Sequence, residues 1–97
     1  SYAKRLAIDF PDRPIPYLKL GQSFFNIGEI DSAIKLFQIA EFLEERPLYR
    51  GRVFLAMGKA YQERGDTSKA KLYFEEVLNL PSGFKERKEA ERLLKSR

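Results

Sequence analysis

The sequence predicts an all-α chain of tandem helix hairpins, about six helices with no strand, and two observations carry that prediction. Eight positions, Tyr17, Leu20, Gly21, Phe24, Gly28, Ala33, Phe37 and Ala40, return 37 residues later as Phe54, Met57, Gly58, Tyr61, Gly65, Ala70, Phe74 and Val77. A fixed period in the range of about 20–50 residues marks stacked units, none of which can bury its apolar face alone. The five prolines supply the second observation. Pro11, Pro14 and Pro16, then Pro47, then Pro81 separate the apolar-periodic segments, at places where helices begin or end.

Ala7-Ile8-Asp9-Phe10-Pro11 resembles Val77-Leu78-Asn79-Leu80-Pro81 position for position, so residues 1–13 read as the second helix of a truncated leading repeat. The chain is therefore expected to begin mid-repeat and to expose an apolar edge at Tyr2, Leu6 and Ala7, through which copies could self-associate end to end. Residues 14–47 form the first full repeat. Tyr17, Leu20, Phe24 and Ile27 recur at three- and four-residue steps over 16–27, and Gly28 follows as a left-handed stop. Asp31 is the expected N-cap of a second helix that presents Ala33, Ile34, Phe37, Ala40 and Leu43 and runs to about Arg46.

Residues 48–82 repeat the arrangement. Phe54, Met57 and Tyr61 share a face before Gly65, and Thr67 or Ser68 is expected to cap a helix carrying Ala70, Tyr73, Phe74, Val77 and Leu78. Residues 83–97 have no glycine equivalent to Gly21 and Gly58 and set Phe84, Ala90, Leu93 and Leu94 among charges, the pattern of a closing helix with a polar outer face.

Composition narrows the classes of activity. At 97 residues, with 43% hydrophobic and 13% aromatic side chains, the chain can build one modest core. No run approaches the roughly eighteen apolar residues of a membrane span, and no secretory signal is visible, so a soluble chain is expected, with the cytoplasm as the default compartment. Without cysteine or histidine there is neither a disulfide nor the commonest general base, nucleophilic thiolate or zinc ligand. The adjacent pairs Glu44/Glu45 and Glu75/Glu76 point about 100° apart on a helix, so neither converges on one substrate atom. No catalytic residue, small-molecule substrate, cofactor or metal is expected. The glycines are scattered and form no phosphate-cradling loop of Gly-x-x-x-x-Gly-Lys-Ser/Thr type.

The net charge of +4 is unevenly spread: residues 1–48 hold six basic and seven acidic side chains, and 49–97 hold twelve and seven. The basic C-terminal half is the basis of an alternative function, binding of nucleic acid or another polyanion. Against it, Glu86, Glu89 and Glu91 interleave with Lys85, Arg87, Lys88, Arg92 and Lys95, as on a solvated helix with i,i+4 pairs.

Tyr17-x-x-Leu20-Gly21-x-x-Phe24 with Ala33-x-x-x-Phe37, and Phe54-x-x-Met57-Gly58-x-x-Tyr61 with Ala70-x-x-x-Phe74, resemble the tetratricopeptide repeat pattern. Tyrosine or phenylalanine stands where that pattern has tryptophan, and the period is 37 instead of about 34. Seven steps separate Ala40 from Pro47 and four separate Val77 from Pro81, which places the excess in a second helix about one turn longer. The resemblance implies a right-handed solenoid that serves as a non-catalytic scaffold and binds a peptide or protein segment in a concave groove lined by the first helix of each repeat. Carried over residue by residue, that groove comprises Ile15, Leu18, Lys19, Gln22, Phe25 and Asn26, then Arg52, Leu55, Ala56, Lys59, Gln62 and Glu63. The implied partner has mixed apolar and acidic character. The clamp with which some relatives hold a C-terminal carboxylate needs Lys and Asn where this chain has Leu18 and Gln22, and Asn where it has Ala56, so that mode is not expected.

Overall fold

A computed structural model describes residues 13–96. Five helices follow one another: α1 (Pro14–Asn26), α2 (Ile30–Leu43), α3 (Pro47–Arg64), α4 (Thr67–Asn79) and α5 (Phe84–Lys95), with no strand among the described residues. The sixth expected helix and the apolar edge at Tyr2, Leu6 and Ala7 lie outside them.

Pro14 and Pro47 occupy the first turns of α1 and α3, where a missing N–H costs nothing. Both hairpin turns close with the same device. Gly28 (φ 86°) donates its N–H to the Phe25 carbonyl at 3.1 Å, and Glu29 donates to the Phe24 carbonyl at 2.9 Å. Gly65 (φ 94°) donates to Gln62 at 3.1 Å and Asp66 to Tyr61 at 2.9 Å. This pair of bonds is the Schellman motif, and the left-handed residue it requires explains both glycines.

The caps differ from those expected. Glu29 and Asp66, not Asp31 and Thr67 or Ser68, are the N-cap residues, and the Asp66 carboxylate accepts from the Lys69 N–H. The Schellman turn brings the chain into the next helix immediately after its glycine, so Asp31, Thr67 and Ser68 already lie within the first helical turn.

The core is a repeated contact of glycine with phenylalanine. A Cβ on Gly21 would stand 2.7 Å from Cδ1 of Phe37, and one on Gly58 would stand 2.6 Å from Cδ1 of Phe74. Phe37 and Phe74 are essentially solvent-free, as are Ala33, Ala40, Ala70 and Val77 around them. Two expected core positions depart from this scheme. Phe24 is only half-buried although its counterpart Tyr61 is buried, and Ile27 is 73% exposed because the chain leaves helical geometry there.

The spacing excess lies elsewhere than expected. α2 has 14 residues and α4 has 13, so no extra turn separates them; α3, with 18 residues against 13 in α1, carries it. α2 stops at Leu43 because Pro47 holds Arg46 extended (ψ 119°). The buried Glu44 carboxylate then fixes the linker, accepting from the Arg46 N–H (3.2 Å), Nε (2.9 Å) and Nη2 (3.0 Å).

A second device joins hairpin to hairpin. Nη1 of Arg50 donates to the carbonyls of Glu41 (3.0 Å) and Glu44 (2.7 Å), which close α2. Nη1 of Arg87, 37 residues on, donates to Leu78 (2.9 Å) and Leu80 (3.1 Å), which close α4. Each guanidinium caps carbonyls at a helix end, that of Leu80 also accepting from the Ser82 N–H at 2.7 Å, and places a cation at the negative end of the helix dipole. Beside Arg50, Tyr73 stacks on Tyr61 with centroids 5.6 Å apart and sits against Glu41. Burial raises the Glu41 carboxyl above its usual 4.5, against the opposing pull of Arg50 and the Tyr73 hydroxyl. Burial also pushes the Tyr73 hydroxyl up to about 12, with the Glu41 charge adding to it.

Gly58→Ala should cost about 1–3 kcal/mol in a urea titration, because the Phe74 ring has no free space to move into. Phe74→Leu is destabilising alone, yet the two together should cost measurably less than their sum; strict additivity would disprove the contact. Acidity provides a separate handle. A carboxyl whose folded pKa is raised contributes stability fully present below its unfolded pKa and lost as pH rises through the folded one. Glu41→Gln should therefore remove a fall in unfolding midpoint that begins near pH 4.5 in the parent protein. A parent curve that falls equally in the variant would assign the slope to other groups.

Candidate functional site

Helices adjacent in the chain pack together, and beyond that only α1 with α3 and α3 with α5 meet among the described residues. These first helices form one layer, while α2 and α4 stand on the other side. The layer of first helices borders an open cavity of about 950 Å³.

Of the twelve side chains expected in the groove, these nine line that cavity: Ile15, Leu18, Lys19, Gln22, Phe25 and Asn26 from α1, and Arg52, Leu55 and Lys59 from α3. Ala56 lines it as well. Gln62 and Glu63 do not, since they lie beyond Lys59 toward the C-terminal end of α3. Leu18, Phe25, Leu55 and Ala56 form the floor, half-buried and packed against the core. Their placement follows from helical period: they sit on a stripe adjoining Tyr17, Leu20 and Phe54, so one edge of each contacts the core while the other faces the opening.

Sequence reasoning misses Pro14, Phe37, Glu44, Tyr49, Val53, Lys85 and Glu86, which also line the cavity. Lys85 and Glu86 come from α5, which reads from sequence only as a closing helix. A signal for them exists: Phe84 follows Pro47 by 37 residues, which puts α5 in the register of a first helix. Tyr49 lies under two guanidiniums, with Arg46 at 4.0 Å and Arg52 at 4.9 Å from the ring centroid, a cation–π arrangement that fixes its ring at the rim.

The groove cations are less free than their sequence suggests. Nε of Arg52 lies 3.9 Å from Oε2 of Glu86, and Nζ of Lys59 lies 3.3 Å from Oε2 of Glu89. Glu89 also accepts from Nη2 of Arg92 at 2.7 Å, and Arg92, with Lys59 assisting, holds its carboxyl below the usual range. Lys19 and Lys85 have no ion-pair partner among the described residues. The cavity thus has an apolar floor within a polar rim, two of its cations being paired with α5 and two, Lys19 and Lys85, standing without an ion-pair partner among the described residues.

Among the described residues, no group of three or more acidic side chains is placed to hold a metal ion, and no helix is long and apolar enough to cross a membrane. The surface offers shape, apolar contact and charge.

Comparison with known proteins agrees with the geometry. The tetratricopeptide repeat family profile matches residues 17–40 and 52–81, more than half of the chain. No curated protein and no solved structure matches the chain. Repeats of this family generally mediate protein–protein interactions on a non-catalytic scaffold. The two matched segments cover the helix pairs α1/α2 and α3/α4, each locked by a glycine–phenylalanine contact at the same register, and the chain belongs to the tetratricopeptide repeat family.

Proposed function

We propose that the trough on α1, α3 and α5 binds an extended or helical segment of a partner protein, seating its apolar side chains on Leu18, Phe25 and Leu55. The observation that carries this reading is the convergence of nine spaced side chains on one open cavity of about 950 Å³, with an apolar floor held in place by the core beneath it. A floor already ordered in the free protein loses little entropy on binding, which favours a compact trough over a flexible surface. Apolar anchors in a partly enclosed site supply most of the affinity at such interfaces.

Charge narrows the partner. Lys19 on α1 and Lys85 on α5 flank the floor from opposite sides, so acidic side chains at the two ends of the bound segment would meet them. Leu18, Gln22 and Ala56 provide no clamp for a terminal carboxylate, and an internal segment serves as well as a chain end.

Affinity capture from the source organism's lysate after nuclease digestion tests this reading. The parent domain should retain one or more proteins that a Leu18→Glu, Phe25→Glu variant of matching helix content loses by about tenfold or more, equivalent to about 1.4 kcal/mol. Capture that survives the double substitution unchanged would eliminate the groove as the binding surface.

A further inference from the structure

Helix α5 sorts its charges by direction. Glu86 and Glu89 turn toward α3 and pair with Arg52 and Lys59, while Arg87 reaches back to the carbonyls of Leu78 and Leu80. The apolar residues Ala90, Leu93 and Leu94 also face the domain. Lys85, Lys88, Arg92 and Lys95 are left exposed, and Glu91 is the one acidic side chain of α5 exposed beside them. Arg92 lends Nη2 to Glu89, with its side chain 65% exposed. Steps of three, four and three residues align these four cations on one side of the helix, over about 15 Å at 1.5 Å per residue.

At the head of the line stands Phe84, 77% exposed, with Nζ of Lys88 at 5.4 Å from its ring centroid. Of the interleaved acids that make α5 read as a self-neutralised helix, Glu86 is drawn to α3, Glu89 is shared between Lys59 and Arg92, and Glu91 stays beside the cations.

We propose that this face of α5 binds single-stranded nucleic acid, with backbone phosphates following the line of cations and a base stacking on Phe84. A positively charged track combined with an exposed aromatic ring is the arrangement that holds unpaired strands without sequence preference. Three of the four cations are lysines, point charges that take phosphate oxygens without fixing their orientation, as a strand held through its backbone requires. A membrane-surface helix needs an apolar stripe open beside its cations, and α5 has turned its leucines inward. The site stands apart from the groove except at Lys85, which lines both and is left unaltered in the test.

The test is fluorescence anisotropy of a labelled oligouridylate of about twelve nucleotides with the full chain. Binding is expected to weaken with salt at a logarithmic slope of about −2.8, the value for four phosphate contacts by a single strand. Lys88→Glu with Lys95→Glu should lower affinity by about tenfold or more and flatten that slope. Phe84→Ala should weaken binding about fivefold or more while leaving the slope intact, which separates stacking from charge.

Circular dichroism confirms that the variants, altered only at exposed positions, remain folded. Polyglutamate and phosphatidylserine vesicles serve as competing polyanions. Absence of saturable binding at low salt, indifference to either set of substitutions, or equal affinity for polyglutamate or the vesicles would overturn the proposal.

Discussion

The close approach of Gly21 to Phe37 and of Gly58 to Phe74 is the constraint on which the remaining structure depends. Where a helix lacks a side chain, the ring of its partner lies directly on its backbone, and the two axes come closer than ordinary side chains would permit. Ala33 and Ala70 have no accessible surface within the same tight interfaces. Once each hairpin is drawn together in this way, its first helix presents a defined stripe to one side. The trough is therefore a consequence of packing decided on the adjoining stripe of α1 and α3.

This dependence explains what was legible in the amino-acid sequence. The 37-residue spacing exposes the hairpins and their glycine stops, while the choice of the face that borders the cavity comes from the resemblance to the tetratricopeptide pattern, with local period only grouping its side chains on one stripe. The N-caps escape such reasoning since Asp31 competes with Glu29 on propensity alone, and only the geometry of the preceding turn decides between them. Phe24 and Tyr61 occupy equivalent positions, yet their burial differs. Tyr61 has Tyr73 stacked upon it, whereas the residue 37 positions before Tyr73 is Leu36, which brings no ring to Phe24. A shared pattern position does not carry its neighbours with it.

The partnerships of Glu86 and Glu89 were illegible for a further reason. Read within α5 alone they pair with neighbouring lysines and arginines, but α3 lies close enough to compete for them. Their inward pairing has two effects at once: it quiets Arg52 and Lys59 in the trough and leaves Lys85, Lys88 and Lys95 on the outer side of α5 exposed, with Arg92 still shared with Glu89. The basic C-terminal half thus contributes to two surfaces of different character, one a mixed polar and apolar cavity and one cationic, joined at Lys85.

The arginine contacts at Arg50 and Arg87 give the array a distinctive kind of permanence. Each ties the end of one hairpin to the beginning of the following helix through a guanidinium that donates only to backbone carbonyls. Carboxylates such as Glu44 and Glu89 release their cations on acidification, but backbone carbonyls have no proton to gain. The tilt between successive hairpins is consequently anchored by bonds indifferent to acidity, so an acidified protein would loosen its rim and linker before it lost its curvature.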